Sequence, residues 1–213
     1  MDTPIIIIGG GGHARMLIDA LLESGTQPLG YIDPLEPPQP HPDIPWLGDN
    51  DKLLEHPPES AALANGFGSV LDTEPRNEIY LRFKGLGYRF VDVIHPRAVL
   101  SQRAVTMGNG VQILAGAVVN TGTRLGDNVL IDSRALVEHD CELDSHAHVA
   151  SGAVLCGGCR IGESVQVGAG ATVIQDVSIG AGSIIDAGCV VTEDVPGSTL
   201  VTRDSGRRAR ELS

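Results

Sequence analysis

Large aromatic side chains are nearly missing from this chain, which has one tryptophan, three tyrosines and three phenylalanines among 213 residues. Such rings fill wide cores. The interior must therefore be built from Val, Ile, Leu and Ala, as a narrow solenoid prefers. Excess positive charge is missing as well: 15 Lys and Arg stand against 27 Asp and Glu, a net charge of -12. Nucleic acid requires a basic footprint, and an anionic membrane surface attracts basic clusters, so neither is expected as a partner. The longest strongly apolar run near the start, Ile5–Ile8, is far too short for a membrane span or a signal h-region. The expected compartment is the cytoplasm. Cysteines number only four, Cys141, Cys156, Cys159 and Cys189. One CxxC at 156–159 without a second cannot complete a zinc site, and reduced thiols suit a cytosolic protein.

What is present is a period. From Met107 to Val191 every sixth residue is aliphatic: Met107, Ile113, Val119, Leu125, Ile131, Val137, Leu143, Val149, Leu155, Ile161, Val167, Val173, Ile179, Ile185, Val191. Four residues after each comes a small side chain, from Val111 and Ala117 to Cys189 and Val195. Neither a helix (period 3.6) nor a flat strand (period 2) keeps such a phase. Hexads of this kind specify a parallel β-helix. Three hexads make one 18-residue triangular coil, so fifteen hexads give five coils, a prism roughly 24 Å long at about 4.8 Å per stacked strand. The phase puts Cys141, Cys159 and Cys189 at small inward positions, where buried cysteine acts as a small hydrophobe. Cys156 falls outside that position.

The first ninety residues carry no hexads. Ile5–Ile8 reads as a buried parallel strand, Gly9 to Gly12 as a turn, and His13 to Ser24 as a helix stopped by Gly25. Leu29–Ile32 is a second strand, and Pro34 to Pro45 a proline-rich surface loop. Asp49–Leu54 is a short helix, Ala61–Val70 a strand, and Glu74–Lys84 a helix. Phe90–Ile94 is a last strand leading to His95-Pro96. This order describes a small parallel sheet flanked by helices. The division expected is a Rossmann-like domain over residues 1–94 and a β-solenoid domain over 95–213, an α/β fold joined to a parallel β-helix.

Within the repeat, His139 lies two residues after inward Val137 and so near an outward corner. Imidazole titrates near neutrality and suits proton removal from an attacking amine. Glu138 and Asp140 flank it, and either could fix its tautomer and stabilise the imidazolium. Gly157, 18 residues later, should stack one coil beyond His139, leaving room for a thioester and offering an amide to an oxyanion. His148 ends its hexad nine residues after His139. Gly168-Ala169 and Ala187-Gly188 lie on one stacked face of small side chains. In the first domain, Gly9-x-Gly11-x-x-Ala14 satisfies a dinucleotide fingerprint, with Asp33 where a ribose-binding acid would fall. Glycines there permit close backbone approach, and the helix N-terminus offers amides to phosphate.

The repeat resembles that of the hexapeptide acyltransferases. Gly9-Gly10-Gly11-Gly12-His13-Ala14, Tyr31-Ile32-Asp33, His95-Pro96 and Glu138-His139-Asp140-Cys141 together resemble one branch, the bacterial sugar acetyltransferases of the PglD and NeuD type. The resemblance implies a left-handed β-helix, a homotrimer with the coenzyme between two prisms, and acetyl-CoA as co-substrate. It implies N-acetylation of a nucleotide-activated 4-amino sugar, or O-acetylation of sialic acid. By the same resemblance Asp140 is the acidic partner of the base His139. His148 would contact the thioester region, and Ala169 and Ala187 the coenzyme. Gly11, Gly12 and His13 would lie by the phosphates or uracil, Asp33 by the base or ribose, and Gly68 nearby. Arg203, Arg207 and Arg208 are the basic group available for coenzyme phosphates, although the family's usual Gly-x-Pro-Ala-Arg ending is not matched. No cysteine is expected at an acyl-accepting position, so transfer should be direct. Histidines 139, 146 and 148 are too compact a trio for the zinc sites of hexapeptide carbonic anhydrases, and no metal is expected. Two rivals of other classes stand beside this reading: a nicotinamide-binding oxidoreductase whose solenoid only assembles subunits, and a non-catalytic scaffold.

Overall fold

A computed structural model describes residues 3–36, 41–53, 55–70, 72–203 and 210–211. The first domain is built on four parallel strands in the order β3-β2-β1-β4, where β1 is Ile5–Ile8, β2 Gly30–Ile32, β3 Trp46–Gly48 and β4 Ala62–Asn65. Ile6, Ile7 and Ile8 are fully buried, as expected of a β-branched run covered on both faces. Helix α1 (Gly12–Glu23) buries Ala14, Leu17, Ile18 and Leu21, the i, i+3, i+4, i+7 stripe of a core-facing helix. A short helix α2 (Asn50–Leu53) and a longer α3 (Glu74–Gly85) complete the domain.

Three local expectations are revised. The edge strand β3 emerges directly after the proline-rich stretch, because Pro45 needs no ladder N–H and offers its carbonyl to the Tyr31 amide at 3.0 Å. The strand expected over Ala61–Val70 stops at Asn65, where Gly66 and Gly68 begin a loop. The strand expected over Phe90–Ile94 divides between the two domains. Phe90 bridges to Leu63, while Val93–Ile94 pairs with Gln112–Ile113 as the first rung of the solenoid.

The solenoid is a prism of three parallel sheets in which, from Thr106 to Val191, each strand pairs with the one 18 residues on. One face runs from Val93–Ile94 through Gln112–Ile113, Leu130–Ile131, His148–Val149, Gln166–Val167 and Ile184–Ile185 to Thr199–Val201, capped by an antiparallel strand Arg210–Glu211. This is the docking face. A second runs from Val99–Leu100 to Val190–Val191 and contains Leu136–Val137; it is the apolar face. The third runs from Thr106–Met107 to Ser178–Ile179 and contains Glu142–Leu143; it is the charged face. The hexad aliphatics and their small partners form one continuous buried core from Val111 to Val195, including Cys141, Cys159 and Cys189. No disulfide forms among the four cysteines.

The prism is longer than the five coils expected. A further coil precedes Met107, and the step from Leu100 to Met107 is seven residues rather than six, which hides its phase. Seven parallel rungs on the docking face span about 29 Å. Corner geometry is equally periodic: every sixth residue from Ala104 to Gly188 has positive φ, among them Asp140 at 59°.

Outward side chains differ by face. On the charged face Arg124 pairs with Glu142, and Arg124 and Arg160 are exposed. On the apolar face stand Val99, Val118, Leu136, Val154, Thr172 and Val190, with Val99 59% and Val190 65% exposed. On the docking face Gln112, Leu130, His148 and Gln166 are buried beneath the first domain. There Leu114 and Leu130 join the cluster of Ala14, Leu17, Ile18 and Leu21, so apolar packing seats α1 on the prism. Among the described residues no helix is long and apolar enough to cross a membrane.

Candidate active site

His139 and Asp140 occupy the corner between Leu136–Val137 and Glu142–Leu143, where the apolar and charged faces meet. Asp140 adopts the left-handed conformation, and its Oδ2 lies 2.9 Å from His139 Nδ1. Both are exposed, with side chains 61% and 72% accessible. The hydrogen bond to Asp140 raises the imidazole pKa above its ordinary value, helped by the charges of Asp140 and Glu138. Of the two flanking acids it is Asp140 that touches the ring; Glu138 instead accepts from Asn120 Nδ2 at 2.8 Å. With Nδ1 so engaged, Nε2 is the nitrogen left to exchange a proton.

Gly157 stacks one coil beyond, with the Gly158 amide on the His139 carbonyl at 2.9 Å. A Cβ on Gly157 would lie 2.7 Å from His139 Cε1 and Nε2, closer than such atoms approach. Any larger residue here would displace the imidazole from this position. A cleft of about 490 Å³ opens at this corner, lined by His139, Asp140, Cys156, Gly157, Gly158, Gln175 and Asp176. Gln175 and Asp176 escaped the sequence reading, although the same ruler reaches them one coil after Gly157. Cys156 is half-buried in this lining.

A second group of residues gathers at the first domain. Gly11 and Gly12 are exposed at the N-terminus of α1, and a Cβ on either would meet nothing within 4 Å. Packing does not demand glycine there, so the turn faces an open cradle suited to phosphate. Asp33 shapes that turn, its Oδ2 accepting from the Gly10 amide at 2.8 Å and its Oδ1 from the Leu35 amide at 3.2 Å. Gly68 closes over His13, whose Cβ would be 3.3 Å from an added methyl. Burial lowers the His13 pKa to about 4, with the nearby Arg76 charge acting the same way. The ring is therefore neutral near pH 7, and its Nε2 sits 2.7 Å from Gln112 Oε1.

His148 lies in this second group, not with His139. It is 4% exposed on the docking face, with Nδ1 2.5 Å from Ser69 Oγ and Nε2 3.9 Å from Asp132. His146 lies elsewhere again, with Nδ1 3.0 Å from Asn128 and its ring edge-on to Tyr80.

Ala169 and Ala187 form a third group. Both are exposed, one coil apart, at the corner between the docking and apolar faces, where the Gly188 amide bonds the Ala169 carbonyl at 2.9 Å. The Arg203 guanidinium carbon would lie 3.0 Å from a Cβ on Gly188, so this cation leans over the small-residue corner. Arg207 and Arg208 lie outside the described residues.

The three groups occupy different sides of one prism. His139 and the alanine pair sit at the two edges of the apolar face, and the glycine turn sits over the docking face. Within one chain the docking face is opposite the His139 corner.

Residues 4–82 match the PglD N-terminal domain model, and residues 158–193 match the bacterial transferase hexapeptide model of six repeats. No curated protein matches the chain. Among solved structures, the acetyltransferase domain of PglB from Neisseria gonorrhoeae, in complex with acetyl coenzyme A, is 30% identical. That match covers 100% of both chains with a TM-score of 0.88. A histidine-to-asparagine mutant of perosamine N-acetyltransferase from Caulobacter crescentus, in complex with CoA and GDP-perosamine, is 32% identical. It covers 97% of this chain and 95% of its own, with a TM-score of 0.85. PerB from the same organism, again with CoA and GDP-perosamine, is 33% identical over 97% of this chain and 96% of its own, with a TM-score of 0.83. The paired N-terminal and hexapeptide matches, together with near-complete coverage at this identity, mean that the chain belongs to the hexapeptide-repeat sugar acetyltransferases of the PglD type.

Proposed function

We propose that this protein transfers the acetyl group of acetyl-CoA to the amino group of a nucleotide-linked 4-amino sugar. The observation that carries the reading is the His139–Asp140 pair stacked against Gly157 at an open cleft. The chemistry of the relatives agrees, since they bind CoA, acetyl-CoA and GDP-perosamine. His139 Nε2 takes the proton as the sugar nitrogen attacks the thioester carbonyl. Asp140 holds Nδ1 and stabilises the imidazolium. The Gly157 amide is a donor for the oxyanion. Collapse breaks the C–S bond, expels the coenzyme thiolate and leaves the amide. No acyl-enzyme is required.

The substrates would be divided as the residues are. The open cradle at Gly11 and Gly12, with His13, Asp33 and Gly68 around it, takes the nucleotide. Ala169 and Ala187 leave a shallow corner for the pantetheine arm, and Arg203 stands by for coenzyme phosphate. His148, on the docking face, is the residue by which the thioester region would be felt from the nucleotide side. These groups lie on different sides of one chain, so a complete site needs a second copy. The apolar face supports this: Val99, Val118, Leu136, Val154 and Val190 point outward between the His139 edge and the alanine edge. A fully buried aliphatic side chain contributes about 1.5–3 kcal/mol, so covering this row drives association. A homotrimer, with each coenzyme between two prisms, satisfies both requirements.

Coenzyme A release should be measured with UDP-, GDP- and dTDP-linked 4-amino sugars and with sialic acid. Turnover with a nucleotide-linked amino sugar is expected. Release with sialic acid alone would replace the N-acetyl reading by O-acetylation, and no release with any of them would overturn the reading.

A further inference from the structure

Two segments frame the glycine cradle, and each is tied to the solenoid by a partly buried polar pair. His13, at the start of α1, meets Gln112 Oε1 at 2.7 Å, and Gln112 Nε2 donates to the Asn65 carbonyl at the end of β4 at 2.8 Å. Ser69, in the loop after β4, meets His148 at 2.5 Å. Gln112 and His148 are outward residues of the same face, two rungs apart, with Leu130 between them. The loop is held inside its own domain as well: Gly66 N donates to the Ile8 carbonyl at 2.8 Å, and the buried Arg76 donates to the Phe67 carbonyl at 2.6 Å.

Adhesion between the domains does not require these pairs, because the α1 stripe packed on Leu114 and Leu130 supplies it. Polar pairs in a buried junction are a weak source of stability, and apolar residues of similar volume often do as well. Among the described residues, Gln166 Oε1 has no hydrogen-bond partner, and His148 Nε2 has only Asp132 at 3.9 Å. What such pairs supply is one fixed arrangement. A cradle of backbone amides gains affinity from being fixed before the ligand arrives.

We propose that Gln112 and Ser69 are positioning residues for the nucleotide: acting through His13 and His148, they lock both cradle segments onto the docking face. This rests on the assignment of the cradle to the nucleotide, and it makes the solenoid a working part of the nucleotide site. The wild-type protein is titrated calorimetrically with GDP, UDP, dTDP and coenzyme A, and Ser69→Ala, Ser69→Thr and Gln112→Leu are then titrated with the nucleotide that binds. Ser69→Ala and Gln112→Leu are expected to weaken that nucleotide about tenfold, the worth of one hydrogen bond. For Gln112→Leu, whose contacts are all on the nucleotide side, coenzyme A affinity stays within twofold. Ser69→Thr, which keeps the hydroxyl, restores most of the nucleotide affinity. Equal weakening of nucleotide and coenzyme A, or no weakening of either, overturns the positioning role. Absence of nucleotide binding in the wild type overturns the cradle assignment instead, and this inference with it.

Discussion

His139 and His13 are the same side chain in opposite surroundings. At the solenoid corner His139 is exposed beside two carboxylates, and the Asp140 hydrogen bond raises its pKa. At the domain junction His13 is enclosed, and burial drops its pKa to about 4. The first holds a proton more readily than a free imidazole; the second stays neutral near pH 7 and serves as a hydrogen-bonding group. His148 follows His13 in direction, again because of burial. On the proposed reading, proton transfer belongs to the exposed corner and the holding of geometry to the enclosed junction. His139→Ala breaks this contrast most severely. Acetyl transfer should fall by about 10²–10⁴, the usual contribution of a general base, with the melting temperature kept because the side chain is exposed. Near wild-type turnover would remove His139 from the mechanism.

Asp140→Asn tests the electrostatic half of the same corner. The carboxylate raises the His139 pKa, so its loss should move the acid limb of the kcat/KM profile to lower pH. Turnover on the plateau should drop roughly tenfold to a hundredfold. An unmoved limb would mean that another group titrates there. Gly157→Ala is a steric test. Its Cβ would meet the imidazole at 2.7 Å, so the ring must turn away, with about a tenfold loss in kcat; unchanged kcat would show that ring placement is not limiting.

The junction is probed by acid. The unfolded chain takes up protons at ordinary histidine near 6.5, whereas folded His13 waits until about 4. Stability should therefore fall as pH drops through that window and level off below it. His146 and His148 are lowered too and add to the slope. Denaturant melts from pH 7 to 4 should show a shallower slope for His13→Gln, and an identical slope would place the acid sensitivity elsewhere. The smallest effect is expected of Cys156→Ser. Direct transfer predicts turnover within twofold of wild type, and a loss comparable to that of His139→Ala would put an acyl group on the thiol.

Much of the solenoid was legible because its constraint is local and repeated. Each hexad must bury one aliphatic and one small residue, so the pattern shows in one dimension, and the same ruler placed Gly157 against His139. Legibility failed where the rhythm breaks. The seven-residue step before Met107 hid a coil, and the left-handed corners hid themselves where Arg134, His146 and Ser164 take the place of glycine. In the first domain β3 was lost behind prolines, since an edge strand needs only half of its backbone paired. Cys156 lies outside the core and beside the cleft, at the corner just before Gly157. Arg76 gave no signal at all: a buried guanidinium bonded to the carbonyls of Asn65 and Phe67 has no counterpart in spacing.

The repeat, the core, the cysteine environment and the stacking of Gly157 on His139 can be read along the chain, because all of these are set by residues at fixed intervals. Which prism face lies under the first domain, that Asp140 and not Glu138 holds the imidazole, and that His148 faces Ser69 rather than His139 emerge in the folded molecule. The Asp140 contact follows from its left-handed corner backbone, whereas the other two outcomes depend on how a non-repeating domain seats on a repeating one. That seating joins residues scores of positions apart through packing and burial, and no local pattern records it.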